Sequence, residues 1–147
     1  NSFCTLLEMS GLDPELRAAY EEIQKLLAEL KEVQAKKTKL LEQRRGLGAQ
    51  QNENQLVKTE LNHLEPGARV YKLIGPALVE QSETDAKTIV EKRLEFIGQE
   101  IQRTESAVED IDKKEDAIRA AVVSQQERMN KRHQMLQKQQ QQPQQQE

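Results

Sequence analysis

The chain has no tryptophan and only four aromatic residues, Phe3, Tyr20, Tyr71 and Phe96. Of its 147 residues 35% are hydrophobic and 32% are charged. That is too little apolar mass for the compact core of a globular domain of this length. Cysteine is confined to Cys4, so no disulfide can close within the chain, and a lone cysteine is compatible with a reducing, cytoplasmic setting. No apolar run approaches the roughly 20 residues of a membrane-spanning helix. An excess of one charge is also missing: 22 basic and 25 acidic residues are interspersed to a net charge of −3. There is no basic stripe for phosphates, so neither nucleic acid nor membrane is expected as a partner.

What the chain has in abundance is Glu, Lys, Gln, Leu and Ala at helical spacing, the composition of long coiled coils that need only a narrow apolar seam. Residues 1–12 contain Phe3, Leu6, Leu7, Met9 and Leu12 but lack a basic start, and Glu8 interrupts them, so they read as an N-terminal extension and not as a secretory signal. Asp13-Pro14-Glu15 opens a first helix, with an Asp to cap free N–H groups and a Pro pre-set for the first helical position. Its seam runs through Leu26, Val33, Leu40, Leu47 and Leu61, with Leu16, Ile23 and Leu30 on the companion position, and Lys37, Arg44, Gln51, Asn54 and Lys58 interrupt it. Gly46 and Gly48 each cost about 1 kcal/mol relative to Ala, so this helix is expected to be looser in its middle. Pro66-Gly67 ends it.

Between the helices lies Arg69-Val-Tyr-Lys-Leu-Ile-Gly-Pro-Ala-Leu-Val-Glu-Gln81, two apolar runs about Gly75-Pro76 that read as a β-hairpin. Val70, Lys72 and Ile74 share one face and Tyr71 and Leu73 take the other, so neither face is suited to full hydration. A lone hairpin is marginal in water and leaves two unpaired edges, and the flanking sequence supplies no further strand. The missing strands are therefore expected from other chains. A hairpin folded back onto its own coiled coil is the plainer alternative.

Ser82-Glu-Thr-Asp85 caps a second helix. Its seam alternates Leu94, Ile101, Val108, Val122, Met129 and Leu136 with Val90, Ile97, Ile111 and Ile118, broken by Thr104, Glu115 and Gln125. From Gln137 onward the chain is nearly pure Gln and has nothing to bury. The expected organisation is an extension (1–12), helix (13–65), hairpin (66–82), helix (83–136) and disordered tail (137–147). The fold class is mainly α, a long antiparallel two-helix coiled coil with a central β-hairpin. Two helices of about 77 Å at ~1.5 Å per residue would fold back on each other. One register sets Leu61 by Leu94, Leu47 by Val108, Val33 by Val122 and Leu26 by Met129, with Gln51 beside Thr104 as a polar layer.

The segment Asn54-Gln-Leu-Val57…Glu60-Leu61…Leu64, the stretch Val70 to Gln81, and Val90…Arg93-Leu94-Glu95-Phe96-Ile97 closely resemble a β-class prefoldin subunit. The likeness spans about residues 13–136. The resemblance implies a heterohexamer of two α-class and four β-class subunits whose hairpins join into an inter-subunit β-barrel carrying six coiled coils. It also implies that the coil tips hold unfolded clients, notably nascent actin and tubulin, and pass them to the cytosolic group II chaperonin without ATP.

On this reading the subunit-assembly residues are Val70, Tyr71, Leu73, Ile74, Gly75, Pro76, Leu78 and Val79. The client-binding tip residues are Leu12, Leu16, Tyr20, Met129, Met135 and Leu136. Coil ends fray and methionine adapts its shape, which suits a holder of varied apolar segments. Leu16, Ile23, Met129 and Leu136 are equally accounted for as seam residues. No catalytic, cofactor or metal site is expected: His63 and His133 lack partners at metal spacing, Gly46-Leu-Gly48 lacks the pattern of a phosphate loop, and a two-helix coil offers no pocket. The rival reading, from another class, is a structural coiled-coil adaptor or tether that binds folded partners.

Overall fold

A computed structural model describes residues 13–140. Helix α1 (Pro14–Asn62) leads through strands β1 (Val70–Ile74) and β2 (Ala77–Gln81) to helix α2 (Glu83–Gln140). The start of α1 is set by Asp13, whose carbonyl accepts the Arg17 N–H at 3.1 Å. Both Gly46 and Gly48 lie inside the unbroken helix. α1 ends at Asn62, three residues before the expected boundary, and a turn follows in which the Ala68 N–H donates to the Glu65 carbonyl over 3.0 Å. Pro66 fits the second position of that turn, and Gly67 at φ +89° supplies the positive φ required at the third. Ser82 caps α2: its Oγ accepts the Asp85 N–H at 3.1 Å and donates to the Asp85 carboxylate at 2.6 Å.

The chain divides into two compact units. In the unit Lys37–Asp110, buried Leu61, Ala86 and Val90 form a small core, and Leu64, Val70 and Leu94 pack against it. Arg44 reaches Glu105 over 2.8 Å and Lys58 reaches Glu91 over 3.1 Å. In the other unit, made of the chain up to Lys36 and from Ile111 onward, Leu16, Ile23, Val33 and Ile118 are buried, and buried Glu115 accepts a hydrogen bond from Gln34 at 3.1 Å. No described side chain falls below 2% exposure, so burial is confined to a narrow seam. The heptad positions named above are the ones turned inward on both helices, with Thr104 and Glu115 as buried polar members.

The register differs from the one expected. Arg44, and not Gln51, meets the stretch around Thr104, and Gln34 meets Glu115 where Val33 was expected by Val122. Both contacts lie six residues from the expected pairing, close to one heptad and about 9 Å at ~1.5 Å per residue. A seam of repeating heptads matches itself equally well after a slip of seven, so periodicity cannot choose between the two. The choice falls to contacts without that repeat: the Gln34–Glu115 bond in one unit and the seating of Val70 on Leu61, Ala86 and Val90 in the other.

A second difference lies at the end of α2, which runs four residues into the Gln tract that was expected to be disordered from 137. Gln ranks among the better helix formers, so a helix already running propagates into such a tract. The rest of the tract and the extension 1–12 lie outside the described residues. No helix among the described residues is long and apolar enough to cross a membrane.

Candidate assembly and client-binding surfaces

The hairpin is built on a two-residue loop. Gly75 at φ +58° provides the left-handed backbone that such a loop needs at its first position, and the Pro76 ring fixes the second. The strands pair antiparallel with Val70 opposite Gln81, Tyr71 opposite Glu80, Lys72 opposite Val79, Leu73 opposite Leu78 and Ile74 opposite Ala77. Tyr71, Leu73 and Leu78 therefore share one face, and Lys72, Ile74 and Val79 share the other. Leu73 and Leu78, directly opposed, are each 69% exposed, and Tyr71, Ile74 and Val79 are exposed as well. The sheet has only these two strands among the described residues, so each has an outer edge without a strand partner.

Val70 is half-buried against Leu61, Ala86 and Val90, and so ties the base of the hairpin to its own coil. The alternative of a hairpin folded back on its own helices thus holds for this one residue. From Tyr71 to Val79 the apolar side chains stand clear.

The tip residues are distributed unevenly. Tyr20 (37% exposed) and Met135 (59% exposed) present themselves at the surface, and Met129 and Leu136 are half-buried. Leu16 is only 5% exposed: it is a seam residue already covered by its coil, which removes it as a contact available in this state. Leu12 lies outside the described residues.

The tip also holds a residue that seam reading missed. Arg132 occupies a heptad position of α2, is half-buried, and donates to both carboxylate oxygens of Asp13 at 2.9 and 3.0 Å. It also lies 3.3 Å from Glu15. The hydrogen bond from Arg132 holds the Asp13 carboxyl below the usual aspartate range, helped by its positive charge and by bonds from the Glu15 and Leu16 backbone, against a smaller opposing effect of burial. An arginine at a seam position was the available signal. Two large exposed side chains, Leu56 and Phe96, were likewise assigned no role, although both sit off the seam, where a soluble coil ordinarily places polar residues.

Comparison with known proteins agrees with this architecture. A family model described as "Prefoldin subunit" matches residues 24–127. The chain is 34% identical to human prefoldin subunit 6 over 116 residues, covering 79% of this chain and 84% of the relative. It is 37% identical to the probable prefoldin subunit 6 of Caenorhabditis briggsae over 100 residues, covering 68% and 78%. The prefoldin beta subunit from Thermococcus strain KS-1 shares the fold at a TM-score of 0.66 and 20% identity, over 69% of this chain and 90% of that one. With two helices, an intervening hairpin and relatives of this kind, the chain belongs to the prefoldin subunit family.

Proposed function

We propose that the chain is a non-catalytic co-chaperone subunit that acts inside a heterohexamer of α- and β-class prefoldin subunits in the cytoplasm. The hairpin assembles with its neighbours' hairpins into a shared β-barrel. The coil tips hold unfolded nascent proteins of the actin and tubulin class and deliver them to the group II chaperonin without ATP. The observation that carries this reading is the hairpin itself, with Leu73 and Leu78 opposed and each 69% exposed on a sheet with two free edges. Such a surface is a liability for a lone chain and an asset for a subunit. A tether binding folded partners through its helices has no use for it.

Client holding rests on weaker but additive contacts. Tyr20 and Met135 offer adaptable apolar surface at the tip, and Met129 and Leu136 lie partly open beside them. Six arms acting on one client combine weak contacts through effective concentration, so no single tip needs a deep pocket.

The test is reconstitution with the other prefoldin subunits, followed by the mass of the intact complex and by suppression of aggregation of unfolded actin. A mixed hexamer that suppresses aggregation equally with and without ATP is expected. A chain that stays monomeric or forms only homodimers in that mixture overturns the reading.

A further inference from the structure

The charges that balance over the whole chain do not balance at the end of α2. From Arg128 to Gln140 the helix carries Arg128, Lys131, Arg132 and Lys138 and no acidic residue. Arg132 is taken up by Asp13 and Glu15. The next acids along α1 are engaged as well, Glu21 by Arg17 at 3.3 Å and Glu22 by Lys25 at 3.8 Å. Arg128, Lys131 and Lys138 are left exposed and without an ion pair among the described residues. Steps of three, four and three residues separate Arg128, Lys131, Met135 and Lys138, which puts them on one face of the helix. They form a stripe about 15 Å long at ~1.5 Å per residue, with the 59% exposed Met135 standing between cations. Gln34 meets Glu115 and Asp13 meets Arg132, so within this unit the helices run in opposite directions and α2 continues past the start of α1. Met135 and Lys138 stand on that overhang, beyond the first residue of α1.

We propose that this stripe selects among unfolded clients: it binds extended segments in which carboxylates flank an apolar residue, in preference to segments that are merely apolar. The inference rests on the client-holding reading above and goes further by giving the tip a charge specificity and assigning it to Arg128, Lys131 and Lys138. Geometry sets the spacing. Lys131, Met135 and Lys138 follow one another at about 6 and about 4.5 Å along the helix axis. On an extended client, alternate side chains point the same way and lie about 6.6 Å apart. Acids two residues before and two residues after an apolar residue thus reach Lys131 and Lys138 while the apolar side chain lies on Met135, and the long basic stems take up the difference. An acid further upstream meets Arg128. The side chains suit a partner without fixed shape, since Lys and Arg carry their charge on flexible stems and Met is unbranched. Each exposed ion pair is weak, so the stripe discriminates through several pairs at once and loses its preference in salt.

The experiment uses the reconstituted complex. The chain carries Cys4→Ser and Gln134→Cys, and a short cysteine-directed photo-crosslinker is attached at position 134, an exposed site beside Lys131, Met135 and Lys138. The probes are unfolded actin and two labelled peptides with the same apolar residues, one bearing Asp and the other Lys at the flanking positions. Adducts with the Asp peptide are expected to exceed those with the Lys peptide roughly tenfold at low salt, and to fall toward parity at about 1 M salt, where charges are screened beyond about 3 Å. The triple variant Arg128→Gln/Lys131→Gln/Lys138→Gln, which alters only exposed side chains, is expected to keep its far-UV spectrum and its place in the complex and to lose the preference. If unfolded actin is crosslinked while the Asp peptide has no advantage, or the advantage survives in the triple variant, the charge proposal falls and client holding stands. An adduct with another arm of the complex that the Asp peptide does not displace means that a subunit covers the stripe, and overturns the proposal too. If neither the peptides nor unfolded actin forms an adduct, the client-holding reading falls with it.

Discussion

The guanidinium of Arg132 grips the carboxylate of Asp13 at two points, Nε donating to Oδ2 over 2.9 Å and Nη2 to Oδ1 over 3.0 Å. The same Asp13 starts helix α1, so one side chain both caps one helix and fastens it to the other. Leu16 and Ile23 are buried on the following turns. Replacing Arg132 by Ala should leave the hairpin-bearing unit unchanged and speed amide hydrogen exchange over residues 14–23 and 129–136. Equal exchange in the two proteins would show that the clamp holds nothing shut.

Acid acts on the same pair in a defined direction. Because the folded Asp13 value lies below the ordinary 3.8, the stability it contributes is complete above that value and is lost as pH falls through the folded value. The tip should therefore stay closed on mild acidification and open only below the usual aspartate range. An NMR titration of the Asp13 carboxyl checks this, and Arg132→Ala should return its midpoint toward 3.8.

Register is tested by distance. A cysteine pair at Arg44 and Glu105, exposed residues joined over 2.8 Å, should accept a short bifunctional crosslinker within one chain when Cys4 is replaced by Ser. The pair Gln51 and Thr104, opposed in the alternative register, should react far less, since one heptad separates them by about 10 Å along the axis. Losing the Arg44–Glu105 pair should cost no more than about 1 kcal/mol, the usual scale for an exposed ion pair, so the fold survives the substitution.

Leu73→Lys and Leu78→Lys separate folding from assembly. Both side chains are 69% exposed, so thermal unfolding of the isolated chain should change little, within about 0.5 kcal/mol for surface substitutions. Incorporation into a mixed complex, read by intact mass, should be abolished. Leu61→Ala is the contrasting variant: Leu61 belongs to the small core, and its truncation should cost about 2–5 kcal/mol.

Gly46 offers a gain. It lies within α1, and a Cβ placed there meets nothing within 4 Å, so Gly46→Ala should raise stability by about 1 kcal/mol. Denaturant unfolding measures it. An unchanged midpoint would mean that the coil around Gly46 opens without crossing the main transition.

The amino-acid sequence by itself determined the two helices, their seam, both N-terminal caps and the hairpin turn. Each of these is a local matter: heptad spacing turns Leu61 or Ile97 inward, Asp13 and Ser82 meet N–H groups within their own first turns, and Gly75-Pro76 bends only its own backbone. Only the tertiary structure decided which heptad of α1 faces which of α2, that Val70 and Leu16 pack against their own chain, and that Arg132 binds Asp13 across the two helices. The reason is that a periodic seam is degenerate under slips of seven. Contacts between residues more than a hundred positions apart, such as Asp13 and Arg132, become legible only once a single non-repeating feature has fixed that slip.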